Sequence, residues 1–227
     1  MTPYSQNKVT GTSKDSLMSD IYLMDCIEGM KQYPDKYFDL AIVDPPYGIE
    51  RFKKVTNKPS SKDVHAKRFQ GMELVNDIKP TPEYWKELFR VSKHQIVFGA
   101  NNFTMPESEY FLIWDKKQAM PNFARCEYAW VSMSLKKPAK ICEYSIHKHN
   151  QTEKIHQTQK PVYLYEWILK NYAKQGDKIL DSHLGSASSR IAAYDLNFDF
   201  TGFELDPEYI EKSTIRFNNH INQLTLF

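Results

Sequence analysis

The sequence predicts an α/β protein, built on a mostly parallel β-sheet covered by helices on both faces. Three observations predict it. Strand-like and helix-like segments alternate along most of the chain. The strand-like runs are short and almost continuously apolar, as strands buried on both faces are. At 227 residues the chain suits one domain with an elaborated insertion.

The elements follow in order. Residues 1–20 are polar and aperiodic and read as a flexible N-terminal arm ahead of a single domain over 21–227. Residues 21–24 form a short apolar strand, 26–32 a helix, and 38–43 a second buried strand. Residues 48–80 are polar, basic and poor in periodicity, and a loop of that length in a compact domain is usually functional or mobile. Thr81 and Pro82 supply an N-cap and a first helical residue, and Trp85, Leu88 and Phe89 an apolar face. Strands are expected at 94–98 and 110–114. Residues 126–133 and 140–147 flank Leu135-Lys136-Lys137-Pro138, which predicts a hairpin and an antiparallel edge. Pro161 opens a helix with Val162, Tyr165, Ile168, Leu169 and Tyr172 on one face, ended by Gly176. A strand at 178–180, a helix at 186–195, a strand at 198–203 and a helix from Asp206-Pro207 to Leu224 complete the chain.

Composition excludes several classes. Hydrophobic residues at 41%, charged residues at 26% and a mean hydropathy of −0.60 fit a globular chain rather than a disordered one. No apolar run reaches the roughly 18 residues of a membrane span. The first residues lack the apolar core of a secretory signal, so a cytoplasmic location is expected. Cys26, Cys126 and Cys142 are far apart and form no Cys-x-x-Cys pair, and the seven histidines show no ligand spacing, so neither disulfides nor a metal are expected. Thirty basic residues nearly balance 28 acidic ones, but Arg51, Lys53, Lys54, Lys58, Lys62, Lys67 and Arg68 crowd one stretch against Asp63. That stretch suits a polyanion.

Ligands of open α/β sheets sit at the carboxyl ends of the strands, so the chemistry is sought there. The 38–43 strand runs directly into Asp44-Pro45-Pro46-Tyr47. Two prolines lock a rigid turn. A carboxylate, a backbone carbonyl and an aromatic ring on such a turn suit alkylation of an aromatic exocyclic amine. Asp44 and the Pro45 carbonyl would accept its two N–H bonds and stabilise positive charge growing on nitrogen. The Tyr47 ring would stack on a base flipped out of its duplex.

The 178–180 strand leads into Asp181-Ser182-His183-Leu184-Gly185-Ser186-Ala187-Ser188-Ser189, small residues that let a ligand approach backbone. The loop has neither the G-x-G-x-x-G spacing nor a Gly-Lys-Ser/Thr, so phosphate cradling is poorly supported. Glu204 ends the next strand 23 residues after Asp181, where a ribose clamp belongs. Asp206 suits an N-cap. Asp25, after the first strand, either caps a helix or accepts from an adenine amine. Residues 156–161 precede a helix N-terminus, which attracts carboxylate.

Asp44-Pro45-Pro46-Tyr47, His156-x-Thr158-x-Lys160-Pro161, the 181–189 loop and Glu204, in this order over about residues 20–224, resemble the amino-group DNA methyltransferases that use S-adenosylmethionine. With the catalytic tetrapeptide ahead of the cofactor loop, the chain looks like the beta arrangement, a circular permutation of the Rossmann-like methyltransferase fold. The resemblance implies a seven-stranded, mostly parallel mixed sheet with helices on both faces, as in restriction-modification enzymes. It implies methyl transfer to adenine N6 or cytosine N4 in double-stranded DNA, yielding S-adenosylhomocysteine, without metal, by a chain that can pair as a homodimer.

Aspartate at the first tetrapeptide position favours adenine. Cytosine N4, an RNA or small aromatic amine, and a DNA binder without catalysis stay open as alternatives. By the same resemblance Asp44, Pro45, Pro46 and Tyr47 are catalytic. Asp25, Cys26, Asp44, Thr158, Lys160, Asp181, His183, Gly185, Ser186, Glu204 and Leu205 bind the cofactor, with Asp25 at its adenine and Thr158 and Lys160 near its methionine part. Arg51, Lys53, Lys54, Lys67 and Arg68 are the candidate phosphate contacts, with Lys116, Lys117 and Arg125 as a second patch. Against the usual Asp-Pro-Phe-x-Gly-Ser-Gly-Thr-Thr loop, Ser182, His183, Ala187, Ser188 and Ser189 are departures, and cofactor affinity turns on them if position 187 needs a positive φ.

Overall fold

A computed structural model describes residues 8–12, 17–48, 77–150, 152, 154–156 and 158–224. The strands are β1 (Lys8–Thr12), β2 (Ser19–Leu23), β3 (Phe38–Val43), β4 (Ser92–Phe98), β5 (Phe111–Asp115), β6 (Cys126–Val131), β7 (Lys140–Glu143), β8 (Lys178–Asp181) and β9 (Asp199–Glu204). The α-helices are α1 (Cys26–Lys31), α2 (Pro82–Val91), α3 (Ile146–Asn150), α4 (Val162–Tyr172), α5 (Ser188–Asp195) and α6 (Pro207–Leu224). None is long and apolar enough to cross a membrane among the described residues.

All nine strands join one sheet, in the order β1-β2-β9-β8-β3-β4-β6-β5-β7. The run β2-β9-β8-β3-β4 is parallel throughout. The resemblance implied seven strands and the strand-like segments numbered eight; β1 is the strand beyond those eight, and β1 and β7 are the outermost of the nine. β1 lies in the stretch read as a flexible arm. It pairs antiparallel with β2, with a register shift between Lys8 and Thr10, and closes an edge that β2 would otherwise leave open. Its sequence, Lys-Val-Thr-Gly-Thr, has too little apolar content to signal a strand, so pairing rather than patterning makes it one.

The expected hairpin between β6 and β7 does not form. β6 is antiparallel to both β4 and β5, so both its edges are taken, and β7 pairs parallel with β5 instead. The connection is stitched to β4: Ser132 N–H donates to Gln95 O at 2.9 Å, and Ser134 Oγ donates to Lys93 O at 3.2 Å. α4 stops at Tyr172 with Ala173 as its C-cap, ahead of the expected Gly176.

The pleat separates two cores. Leu40 and Ile42 of β3 face α4, whose Leu164, Tyr165, Ile168 and Leu169 are buried with Ala192 and Ala193 of α5. Ala41 and Val43 face the other way, toward Met30 of α1 and Tyr84, Leu88 and Val91 of α2. Thr81 caps α2, its hydroxyl accepting from Tyr84 N–H at 3.4 Å, and Pro82 follows. Arg90 ties α2 to the end of α1, donating to Tyr33 O at 2.9 Å and Met30 O at 3.0 Å. Arg190 of α5 is fully buried, donates to Ser19 of β2 at 2.9 and 3.0 Å, and lies 3.8 Å over the Phe217 ring of α6.

α1 packs on β9 through a glycine. A Cβ at Gly29 would stand 2.4 Å from the Phe203 ring, which is 1% exposed and has no room to turn aside. Gly29→Ala gains about 1 kcal/mol of helix propensity and meets about 1–3 kcal/mol of overpacking. The expected outcome is a net loss of stability, read as a lower urea midpoint with an unchanged slope.

Candidate active site

In the parallel run β2-β9-β8-β3-β4 the carboxyl ends meet at one edge. The chain leaves β3 toward β4 in one direction and β8 toward β9 in the other, so a crevice opens between β8 and β3. A cavity of about 440 Å³ lies there. Its wall brings together Asp25 and Cys26, the whole Asp44–Tyr47 turn, Thr158 and Lys160, His183, Gly185 and Ser186, and Glu204 and Leu205.

β3 delivers Asp44. The Tyr47 hydroxyl donates to Asp44 Oδ1 at 2.5 Å, and the Lys160 ammonium pairs with Asp44 Oδ2. Burial and the neighbouring Asp44 hold the Tyr47 phenol protonated, well above its ordinary range. The Tyr47 ring rests on Gly99, at the end of β4, where a Cβ would fall 2.2 Å from it, and meets the Phe103 ring edge-on at 6.0 Å. Gly99 also has φ +61, so both its backbone and its bareness serve this placement.

Lys160 is the least exposed charge of the site, at 4%. Besides Asp44 it reaches Glu127 Oε2 of β6 at 3.4 Å, and its Nζ lies 4.7 Å from the Phe98 ring centroid. Glu127 Oε1 meets Lys116 Nζ at 2.6 Å. The result is an alternating row, Lys116–Glu127–Lys160–Asp44. Burial opposes the Lys160 charge, but Asp44 and its other anionic neighbours outweigh it, so the ammonium persists well above the usual lysine range. Glu127, despite burial, is held below its ordinary value by Lys160 and Lys116.

The loop after β8 differs from expectation at its first residue. Asp181 does not line the cavity. It is buried behind the wall, accepting from His183 N–H at 3.0 Å and from Ser189 Oγ at 2.5 Å, and burial pushes it up to about 6. It therefore shapes the loop. Ser182 shares hydrogen bonds with the Tyr84 hydroxyl (2.8 Å) and His183 Nδ1 (2.9 Å). Ala187 has φ 58, so this position does take the left-handed conformation, at a non-glycine residue. Glu204 Oε2 accepts from Gly185 N–H at 2.8 Å, and Oε1 from Leu205 and Asp206 N–H at 2.9 and 3.0 Å. Burial raises it above the ordinary carboxylate value.

Asp25 caps α1, its Oδ1 accepting from Ile27 and Glu28 N–H at 2.8 and 3.2 Å, and also faces the cavity. Cys26 beside it is a neutral thiol, pushed up to about 12 by burial and Asp25. Asp206 accepts from Glu208 N–H at 2.8 Å at the start of α6. His156 Nδ1 accepts from Thr158 N–H at 3.2 Å, and the His156 ring packs on Tyr209 with centroids 4.5 Å apart.

Arg51, Lys53, Lys54, Lys67 and Arg68 lie outside the described residues. In the second basic patch Lys116 pairs with Glu127, and Lys117 with Glu143 at 2.6 Å and Asp115 at 3.2 Å; Lys117 and Arg125 are both exposed. Among the described residues no three His, Cys, Asp or Glu are grouped to hold a metal. Sequence reasoning missed Glu127, Gly99, Tyr84 and Tyr209. The available signals were a lone carboxylate in the apolar run Cys-Glu-Tyr-Ala-Trp-Val and a glycine directly after a buried strand.

The two cavity histidines set a pH dependence. Burial lowers both His156 and His183 to about 4. Between pH 6.5 and about 4 the unfolded chain therefore binds two protons that the folded chain refuses, and acid destabilises. Asp181, raised to about 6 from 3.8, acts oppositely, since there the folded state holds the extra proton. For these three groups the balance is a loss on the order of 1 kcal/mol per pH unit on acidification, which Glu204, also raised by burial, reduces. His183→Phe removes one imidazole, so its urea midpoint is expected to fall less steeply than the wild type's between pH 6.5 and 4.5.

Residues 77–215 match the DNA methylase family N6_N4_Mtase. The chain is 22% identical over 230 residues to the type II methyltransferase M.HpaI of Haemophilus parainfluenzae, covering 97% of this chain and 67% of that protein. In fold it is similar to M1.HpyAVI, solved as a complex with SAM, at a TM-score of 0.57 and 19% identity over 86% of this chain and 98% of that one. It is equally similar to the PvuII DNA methyltransferase, described as cytosine-N4-specific, at a TM-score of 0.57 and 14% identity over 90% and 91% of the two chains. The family match runs from the approach to α2 into α6, through more than half of the chain, and makes this protein a member of the N6/N4 DNA methylases.

Proposed function

We propose that this protein transfers a methyl group from S-adenosylmethionine to N6 of an adenine flipped out of double-stranded DNA. The observation that carries the reading is the Asp44 carboxylate, delivered by β3 into the wall of the cavity with Tyr47 locked against it. Asp44 precedes the matched span, so its role rests on this geometry and on the tetrapeptide. The choice of adenine rests on aspartate as the tetrapeptide's first residue. The fold does not decide it, since the PvuII enzyme shares the fold and is described as cytosine-N4-specific.

The cavity suits a cationic nucleoside. Asp25, Asp44, Glu204 and Asp206 line it, and the Gly185 backbone is bare toward the His156 ring, 3.7 Å from where a Cβ would stand. When bound, S-adenosylmethionine supplies an electrophilic methyl on a sulfonium and leaves as S-adenosylhomocysteine. Glu204 holds the backbone of Gly185, Leu205 and Asp206, and so shapes the wall that would meet the ribose. Asp44 and the Pro45 carbonyl accept the two amine N–H bonds and draw the nitrogen lone pair out of the ring. As the N–C bond forms, positive charge grows on nitrogen. Asp44 stabilises that charge and receives the surplus proton.

Purified protein incubated with S-adenosylmethionine and unmethylated DNA, followed by nucleoside mass spectrometry, is expected to yield N6-methyladenine. N4-methylcytosine would correct the base and keep the mechanism; no modified base would overturn the reading. Asp44→Asn is expected to lose about 10²–10³-fold in rate while binding S-adenosylmethionine normally, because the interaction it removes strengthens only as charge develops. Glu204→Gln deprives the loop of an anionic acceptor shared by three N–H groups. Calorimetry is expected to show S-adenosylmethionine bound at least tenfold more weakly, with the catalytic rate at saturation largely retained.

A further inference from the structure

Lys160 stands between two carboxylates. It pairs with Asp44 and lies 3.4 Å from Glu127, about 0.6 Å beyond an ordinary charge-assisted bond. We infer that Glu127 is a positioning residue that takes the Lys160 ammonium when the substrate amine engages Asp44, so that the row of charges shifts its pairing by one place. The inference rests on the proposed role of Asp44.

Four observations carry it. First, both Asp44 oxygens are engaged, Oδ1 by the Tyr47 hydroxyl and Oδ2 by Lys160. An ammonium in contact with Asp44 opposes positive charge growing on the amine nitrogen, so the pair as it stands works against the reaction. Second, a buried ammonium released from Asp44 needs another anion at once. Glu127 is the nearest, and the Phe98 ring lies under Nζ for either pairing. Third, Lys116 already holds the other Glu127 oxygen at 2.6 Å, so Glu127 stays ionised and oriented while Lys160 is with Asp44. Fourth, the shift leaves no charge stranded: Lys160 passes to Glu127, and Asp44 passes to the amine. The Lys160 backbone does not need to move, and Ser188 Oγ anchors its carbonyl at 2.7 Å.

The test is a mutant cycle on Glu127 and Lys160, read as single-turnover methyl transfer to unmethylated genomic DNA at saturating S-adenosylmethionine. Glu127→Gln keeps the shape and loses the anion. It is expected to slow transfer at least tenfold while the KM for DNA and the calorimetric Kd for S-adenosylmethionine stay within about twofold. Glu127→Asp keeps the charge on a shorter arm, still within reach of Lys116, and is expected to fall between Glu127→Gln and wild type. In the Lys160→Met background Glu127→Gln is expected to cause no further loss, since no ammonium remains to be received. Wild-type rates in both Glu127 variants would overturn the inference, as would a double variant slowed by the product of the single effects. Should Glu127→Gln fail to fold, Glu127→Asp decides alone, and a wild-type rate there overturns the inference. Absence of any methylated base with the wild-type protein would instead remove the reading of Asp44 on which the inference stands.

Discussion

A lysine ammonium buried to 4% exposure must be paired, and Lys160 has its partner 116 residues earlier in the chain. That one ion pair joins the turn after β3 to the segment entering α4. It draws in β6 through Glu127, β5's exit through Lys116 and β4 through Phe98. Parting such a pair with no second anion in reach would leave a bare charge in a low-dielectric wall, far more unfavourable than the pair is favourable. The elements that close one side of the cavity are therefore tied to one another through this row of charges. On the other side the same task falls to Glu204, which gathers three backbone N–H groups from two loops. One side is organised by an ion pair and the other by a carboxylate accepting from backbone, and the crevice between β8 and β3 is what remains open.

What was legible in the sequence is what strand order alone places. Asp44, Glu204 and Asp25 stand at or just beyond the carboxyl ends of parallel strands, and parallel pairing brings such positions to one edge whatever the side chains do in detail. The parallel sheet, the caps at Thr81 and Asp206, and the reach of α6 follow from local chemistry. Contacts across long separations were not legible. Nothing near Lys160 announces Asp44, and nothing near Glu127 announces either lysine. Asp181 was read as a cofactor residue from the resemblance of its loop, but its carboxylate is turned inward, where Ser189 claims it. Strand pairing at the antiparallel edge was misread because two adjacent strand-like runs with a turn between them form a hairpin only if the inner edge is free, and β5 occupies it.

Ala187 is the point where local rule and fold disagree. A left-handed alanine costs on the order of 1 kcal/mol, and here it is fully buried, in a loop whose next residues open α5. The surroundings over-determine it: its N–H reaches Leu184 O at 2.9 Å, and its carbonyl receives Ile191 N–H at 3.0 Å. The loop keeps its path because neighbours on both sides fix it, and a methyl group fills space that a glycine would leave.

The pairing of β2 with β9 has a consequence for how the chain comes to be. β2 is synthesised well ahead of its parallel partner, which runs from Asp199, Ser19 lying opposite Phe200. At about 5–20 residues per second, β2 waits on the order of 10–35 seconds on the ribosome for the strand that completes it. Until then its inner edge is bare, and β1, pairing antiparallel on the outer edge, is the neighbour it can have early. β3 and β4 meet much sooner, so the half of the sheet that carries Asp44 assembles before the half that carries Glu204. Asp44 is made 116 residues before the buried ammonium that neutralises it, so the nascent turn carries an acid without its partner until the segment entering α4 has emerged.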